Sequence, residues 1–179
     1  MNALIIAGTS SNCGKTTVTL AIMGILTKNG EDVAPFKVGP DYIDPMFHKA
    51  VTKNNSYNLD GYMLDNKTLK YLFNKNCKDK SVAVIEGVMG LYDGLGTTGI
   101  GSTAEIAGIL KIPVILVVEA KGISRSIAAL INGYKNFDNK INIKGIILNK
   151  VSGESHYNLL KQIVYLIHKV FEALLHNHQ

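Results

Sequence analysis

The chain has 179 residues, 46% of them hydrophobic and 18% charged, with a formal net charge of +5. That length suits one domain with a core that needs no disulfide staples, and the balance excludes a disordered chain. The basic residues are scattered, so no nucleic-acid partner is expected; two cysteines without CxxC spacing exclude a zinc site and point to reducing, cytoplasmic surroundings.

In chain order, the apolar run at 3–7 predicts a buried first strand rather than a signal peptide, because no basic residue precedes it. Val18, Ala21, Ile22, Ile25 and Leu26 recur at helical spacing over 16–28, with Gly30 as the stop. A strand follows at 32–38, its Pro35 predicting an irregular or edge position. The next stretch, with Pro40 and Pro45, reads as turns. Helical patterns near 65–76, 102–111, 123–134 and 154–175 then alternate with strands at 82–86, 113–119 and 143–150. The Gly-rich stretch 87–101 is the expected mobile loop. No run reaches the length of a membrane span.

Strands separated by helices predict an α/β fold of three layers, a mostly parallel sheet flanked by helices, as a single domain over 1–179. Ligands of such sheets bind at the carboxyl ends of the strands, so the residues just beyond each strand carry the functional reading.

Beyond the first strand stands GTSSNCGKTT: Gly8, Thr9, Ser10, Ser11, Asn12, Cys13, Gly14, Lys15, Thr16 and Thr17. A glycine-bearing loop between strand and helix presents backbone N–H groups and a helix N-terminus to phosphate oxygens. Lys15 would reach the β- and γ-phosphates, and the Thr16 hydroxyl would bind Mg²⁺. The strict G-x-x-x-x-G-K-[ST] pattern has glycine where Thr9 stands, and Asn12 is a residue that tolerates positive φ. Cys13 reads as a small packed side chain, with a redox thiol as the alternative.

FKVGPDYIDP, 36–45, places Lys37 at a strand end, with Asp41 and Asp44 serving either a divalent ion beside phosphates or turns beside proline. Glu86 ends a strand that is otherwise wholly apolar; a buried carboxylate there needs a partner, which a metal at the strand tip would supply. Asp93, before Gly94, is a turn candidate. Ser102 and Thr103 open a helix with Glu105 in its first turn, the pattern of an N-cap and also of a carboxylate-binding terminus. Arg125 can clamp a carboxylate or phosphate, or stand solvated. Asn149 ends the last strand, where a nucleotide base lies in sheets of this kind. Of five histidines only His48 falls at the edge of this crevice.

GTSSNCGKTTVT, PFKVGPDYIDPMFH, NLDGYML, VIEGVMGLYDG, GSTAEIA, VILVVEAKGISRSIAAL and GIILNKV occur in this order, and over 3–160 the chain resembles the cobyrinic acid a,c-diamide synthases. Their nucleotide domain is similar to dethiobiotin synthetase, a P-loop NTPase fold. The resemblance implies ATP-dependent amidation of a corrin precursor, cobyrinic acid: a side-chain carboxylate becomes an acyl phosphate, and ammonia from glutamine displaces phosphate. It implies Lys15 and Thr16 at phosphate and Mg²⁺, Lys37 assisting phosphoryl transfer, and Asp41 and Glu86 as metal ligands. Asp44 and Asp93 would lie near the transferring phosphate, with Ser102, Thr103 and Arg125 on the substrate side.

The family has a glycine where Asn12 stands, and its glutaminase domain is not found before Gln179. The expectation is a synthetase half, supplied by a separate glutaminase or by free ammonia, with homodimer assembly left open. After Gln162 the sequence departs from the family and reads as a continuing amphipathic helix. Two other readings stay open: a dethiobiotin-synthetase-like carboxylase, and a non-catalytic nucleotide switch.

Overall fold

A computed structural model describes residues 2–166. Among these residues six strands form one sheet: β1 (Asn2–Gly8), β2 (Val33–Val38), β3 (Tyr57–Leu59), β4 (Val82–Glu86), β5 (Val114–Glu119) and β6 (Ile143–Asn149). They lie in the order β3-β2-β4-β1-β5-β6, and every neighbouring pair is parallel. Among the described residues six helices connect and follow them: α1 (Lys15–Lys28), α2 (Asp44–Thr52), α3 (Asn66–Asn76), α4 (Thr103–Leu110), α5 (Ser126–Phe137) and α6 (Glu154–Tyr165).

The period-2 alternation of side chains divides the interior into two cores. Ile5, Ala7, Ala83, Ile85, Leu116, Val118, Ile146 and Leu148 face one way and meet Leu69, Phe73, Ile106, Ile127, Ile131 and Leu160 of α3 to α6. Ile6, Val82, Val84, Val117 and Ile147 face the other way and meet Val18 and Met23 of α1, with Val51 of α2 packed alongside. Burial on both faces is why β4 and β5 read as continuous apolar runs.

The predicted parallel α/β sheet is present, with three local differences. The stretch after β2 is not all turns: α2 and β3 lie there. The inward residues of α2 are His48 and Thr52, while Met46 and Phe47 stand exposed, so no inward apolar stripe marks the helix. Pro35 sits in an interior strand; β3 pairs only from Phe36 onward, so the strand is open on that side at the proline. Helix α5 starts at Ser126 rather than 123, because Gly122 at φ 66 turns the chain first. The helix expected over 154–175 is described as far as Tyr165; positions 167–175 lie outside the described residues. Among the described residues no helix is long and apolar enough to cross a membrane.

Candidate nucleotide site

β1 is central in the sheet, and its carboxyl end opens the loop 9–14. Gly8 and Gly14 are both required there. A Cβ on Gly8 would run into the Cys13 sulfur, and one on Gly14, at φ 98, into the Asn149 amide. Asn12 takes the left-handed region at φ 61. The loop carbonyls are held from outside. Tyr134 Oη donates to Thr9 O at 2.5 Å, Lys15 Nζ to Ser10 O at 3.2 Å, Lys150 Nζ to Asn12 O at 2.7 Å and Asn149 Nδ2 to Cys13 O at 2.9 Å. Among the described residues, none of the backbone N–H groups from Ser10 to Gly14 has an acceptor in the chain. A run of unclaimed N–H groups ahead of a helix N-terminus is the arrangement that holds phosphate oxygens. Thr17 is exposed on the first turn of α1, and Cys13 is fully buried, as a packed small side chain.

The sheet register builds the charged centre. Lys37 of β2 is directly opposite Glu86 of β4, so both side chains leave the same face, the one covered by α1 and α2. Glu86 is wholly buried. Its Oε1 accepts from Thr16 Oγ1 at 2.5 Å and from Lys37 Nζ at 3.2 Å, and its Oε2 faces His48 Nε2 at 2.7 Å. Lys37 also donates to Asp44 Oδ2 at 2.5 Å and to the Gly87 carbonyl at 3.2 Å, with Asp41 Oδ2 at 3.9 Å.

Burial pushes the Glu86 carboxyl up, but the His48 hydrogen bond, the Lys37 charge and the Thr16 hydroxyl outweigh it and hold the group at about 2. Asp44 moves the other way. Its burial raises it, the Lys37 bond only partly offsets that, and the Glu86 charge adds to the rise. Burial, with Lys37 nearby, lowers Lys15. The centre thus holds an ionised buried carboxylate next to a second carboxylate that binds its proton more tightly than usual.

The remaining predicted residues divide by what their polar atoms already do. Asp41 Oδ1 accepts from the Ile43 and Asp44 N–H groups, fixing the turn into α2, and leaves Oδ2 toward Lys37. Asp93 Oδ2 accepts from Gly90 N at 2.8 Å; that turn lies against the phosphate-type loop, where Leu91 N donates to Gly8 O at 2.8 Å. Ser102 caps α4 by accepting from Glu105 N, and Glu105 accepts in return from Gly101 N. Thr103 Oγ1 binds both N–H and C=O of Val88. Arg125 is exposed at the start of α5, with no ion pair among the described residues. Asn149 is brought to the loop as a brace on its backbone. A cavity of about 670 Å³ between the Gly-rich loop, α4 and Phe137 lies apart from this cluster and includes none of its charged groups.

Four contributors escaped the sequence reading in their actual roles. His48 is inside the centre rather than at its edge, with Ser56 behind it; Tyr134 and Lys150 brace the loop. The signal for Lys150 was its place after a strand-ending asparagine; for Ser56 there was none.

A parallel sheet whose central strand feeds such a loop, with lysine and threonine opening the helix and a carboxylate closing the adjacent strand, defines a P-loop nucleotide-binding domain. The model of the CobQ/CobB/MinD/ParA nucleotide binding domain family matches residues 4–176, and the chain belongs to that family. It is 54% identical over 159 residues to a cobyrinate a,c-diamide synthase of Caldanaerobacter subterraneus subsp. tengcongensis, covering 89% of this chain and 35% of that protein. With proteins of the same name it shares 50% identity over 165 residues in Methanococcus maripaludis, covering 92% and 37%, and 51% over 163 residues in Listeria innocua, covering 90% and 36%. The chain therefore spans about a third of the length of these curated relatives. Among solved structures, chloroplast FtsY from Physcomitrella patens superposes with a TM-score of 0.59 at 15% identity, covering 94% of this chain and 56% of that one. A DUF1611 family protein from Anabaena variabilis gives 0.59 at 12%, covering 92% and 50%. These two share the fold.

Proposed function

We propose that this chain is the ATP-binding synthetase part of an amide synthase that converts the a and c side-chain carboxylates of cobyrinic acid to amides. The observation that carries the reading is the meeting of Thr16, Lys37 and Glu86 beside a loop of unclaimed N–H groups. The chain in which they meet is about half identical to proteins named for that reaction.

In the proposed reaction a substrate carboxylate oxygen attacks the γ-phosphorus of ATP, the bond to the ADP oxygen breaks, and an acyl phosphate forms. Ammonia then attacks the acyl carbon, a proton is lost, and inorganic phosphate leaves with the C–O bond. The ammonia comes from a glutaminase part or from free ammonium.

The loop N–H groups and Lys15 hold the phosphates, and Lys37 neutralises charge on the transferring group. Asp44 orients Lys37, and Asp93 holds the turn that closes over the loop. Mg²⁺ fits this donor set, a threonine hydroxyl and a carboxylate meeting beside the phosphate-type loop, because Mg²⁺ takes one or two carboxylates with phosphate oxygens and water. Thr16 and Glu86 would hold it, with Asp41 Oδ2 nearby, and it would supply charge neutralisation at the phosphates.

The crevice also suits a large substrate with apolar faces and acidic edges. Tyr42, Ile43, Met46 and Phe47 follow β2, Tyr62 and Met63 follow β3, and all six side chains stand exposed. These are the strand ends next to Lys37 and Asp44, whereas the loop after β1 is polar.

Phosphate release with ATP, Mg²⁺, ammonium and cobyrinic acid tests the reading. Release stimulated by cobyrinic acid, with an amidated product by mass spectrometry, is expected. Protein that binds ATP calorimetrically yet shows no stimulation would overturn the substrate assignment. Stimulation by diaminopelargonic acid with bicarbonate would assign a carboxylase instead.

A further inference from the structure

His48 is a wholly buried imidazole with both nitrogens engaged: Nε2 on Glu86 Oε2 at 2.7 Å and Nδ1 on Ser56 Oγ at 2.9 Å. It sits four residues after Asp44 on α2, so both point toward the end of β4 from one face of the helix. The two Glu86 oxygens have separate partners. Thr16 and Lys37 share Oε1, and His48 alone among the described residues is bonded to Oε2. A serine hydroxyl can donate or accept. When Ser56 donates to Nδ1, the neutral ring carries its proton on Nε2 and donates it to Glu86, with no extra charge needed in the core.

A glutamate pinned through one oxygen cannot rotate to give the other a different neighbour. We propose that His48 is a positioning residue: it anchors Glu86 Oε2 so that Oε1 is presented to the Thr16 hydroxyl, and it thereby ties the divalent-cation response of the nucleotide site to the seating of α2. This rests on the nucleotide and Mg²⁺ reading above and adds to it a residue that touches neither nucleotide nor metal. A satisfied core histidine with only a packing role would support the fold without selecting one carboxylate oxygen.

Two substitutions separate these roles, because glutamine places its amide near the position of Nε2 and asparagine near that of Nδ1. His48→Gln keeps a donor toward Glu86 and loses the Ser56 contact; His48→Asn does the reverse. The full chain and both variants are titrated with a fluorescent ATP analogue, first in EDTA and then against Mg²⁺ at fixed analogue. All three should bind within about twofold of one another in EDTA. The Mg²⁺ concentration for half-maximal response should rise about tenfold or more in H48N, in the range seen when a group supporting a metal ligand is lost, and stay within about threefold of wild type in H48Q. Thermal melts run alongside identify unfolded material. If H48N does not fold, Ser56→Ala, which leaves the imidazole free to turn, should raise the Mg²⁺ midpoint by a smaller factor; an unchanged midpoint in S56A would then overturn the proposal. Equal midpoints in folded H48N and H48Q overturn it directly, and so does an equal loss in EDTA and in Mg²⁺. A wild type that binds the analogue with no Mg²⁺ response overturns the cation assignment and this inference with it. A wild type that binds no analogue overturns the nucleotide reading itself.

Discussion

Glu86→Gln removes one negative charge from beside Lys37 and His48 while keeping the volume of the side chain. In the folded chain the Glu86 carboxyl is held at about 2, against 4.5 for an unperturbed glutamate. The folded value lies below the unfolded one. Ionised Glu86 therefore contributes stability that is fully present above pH 4.5 and is lost as pH falls toward 2. The difference of 4.5 minus 2 corresponds to about 3 kcal/mol at neutral pH, and by the same linkage to about half of that at pH 3. Glutamine stands in for the neutral carboxyl, so E86Q should be less stable than wild type by about 3 kcal/mol at pH 7, a drop of roughly 6–12 °C in Tm for a domain of this size. Urea unfolding of both proteins by circular dichroism at pH 7 and pH 3 measures the gap. It should close by about half at the lower pH. Equal stability at pH 7, or a gap that does not change with pH, would refute the claim that an ionised carboxylate is held by His48, Lys37 and Thr16.

Gly14→Ala forces a side chain into φ 98 and against the Asn149 amide, costing roughly 1–3 kcal/mol; Asn149→Ala removes the obstacle. The double variant should be more stable than the sum of the two single losses by about 0.5 kcal/mol or more in a denaturant cycle, and strict additivity would count against the clash. Tyr134→Phe takes away the hydroxyl on Thr9 O and should cost about 1 kcal/mol in urea unfolding with little change in nucleotide affinity; a large affinity loss would give Tyr134 a direct role in the site. Both cysteines are buried, and burial pushes the Cys77 thiol up to about 11. Neither should react with a water-soluble disulfide reagent at pH 8 until urea is added, whereas stoichiometric reaction of native protein would contradict the packing.

The strands were legible where burial on both faces leaves only one reading, as in VAVIE at 82–86, which is β4 residue for residue. The phosphate-type loop was legible because its glycines, lysine and threonine keep fixed offsets from a strand and a helix. Glu86 stood out as a carboxylate ending an apolar strand, a position that Glu119 shares at the end of β5. α2 was hidden because its inward residues are polar and its apolar ones face out, and β3 because three residues carry no period. With α2 unseen, His48 had no route into the centre. The pairing of Lys37 with Glu86 depends on the register of two strands separated by more than forty residues, which no local pattern encodes. Ser102 showed its capping chemistry in the sequence, and the structure uses it so; whether such a residue also meets a substrate is decided by shape, not by residue type.

The clasp on the phosphate cradle comes from far along the chain: Asn149 and Lys150 grip carbonyls at Cys13 and Asn12. A cradle formed early in synthesis therefore lacks these two braces until β6 has docked beside β5. Contacts across so long a loop form late, because the chain entropy they consume is largest. Nucleotide capture should thus favour polypeptides in which β6 has joined the sheet.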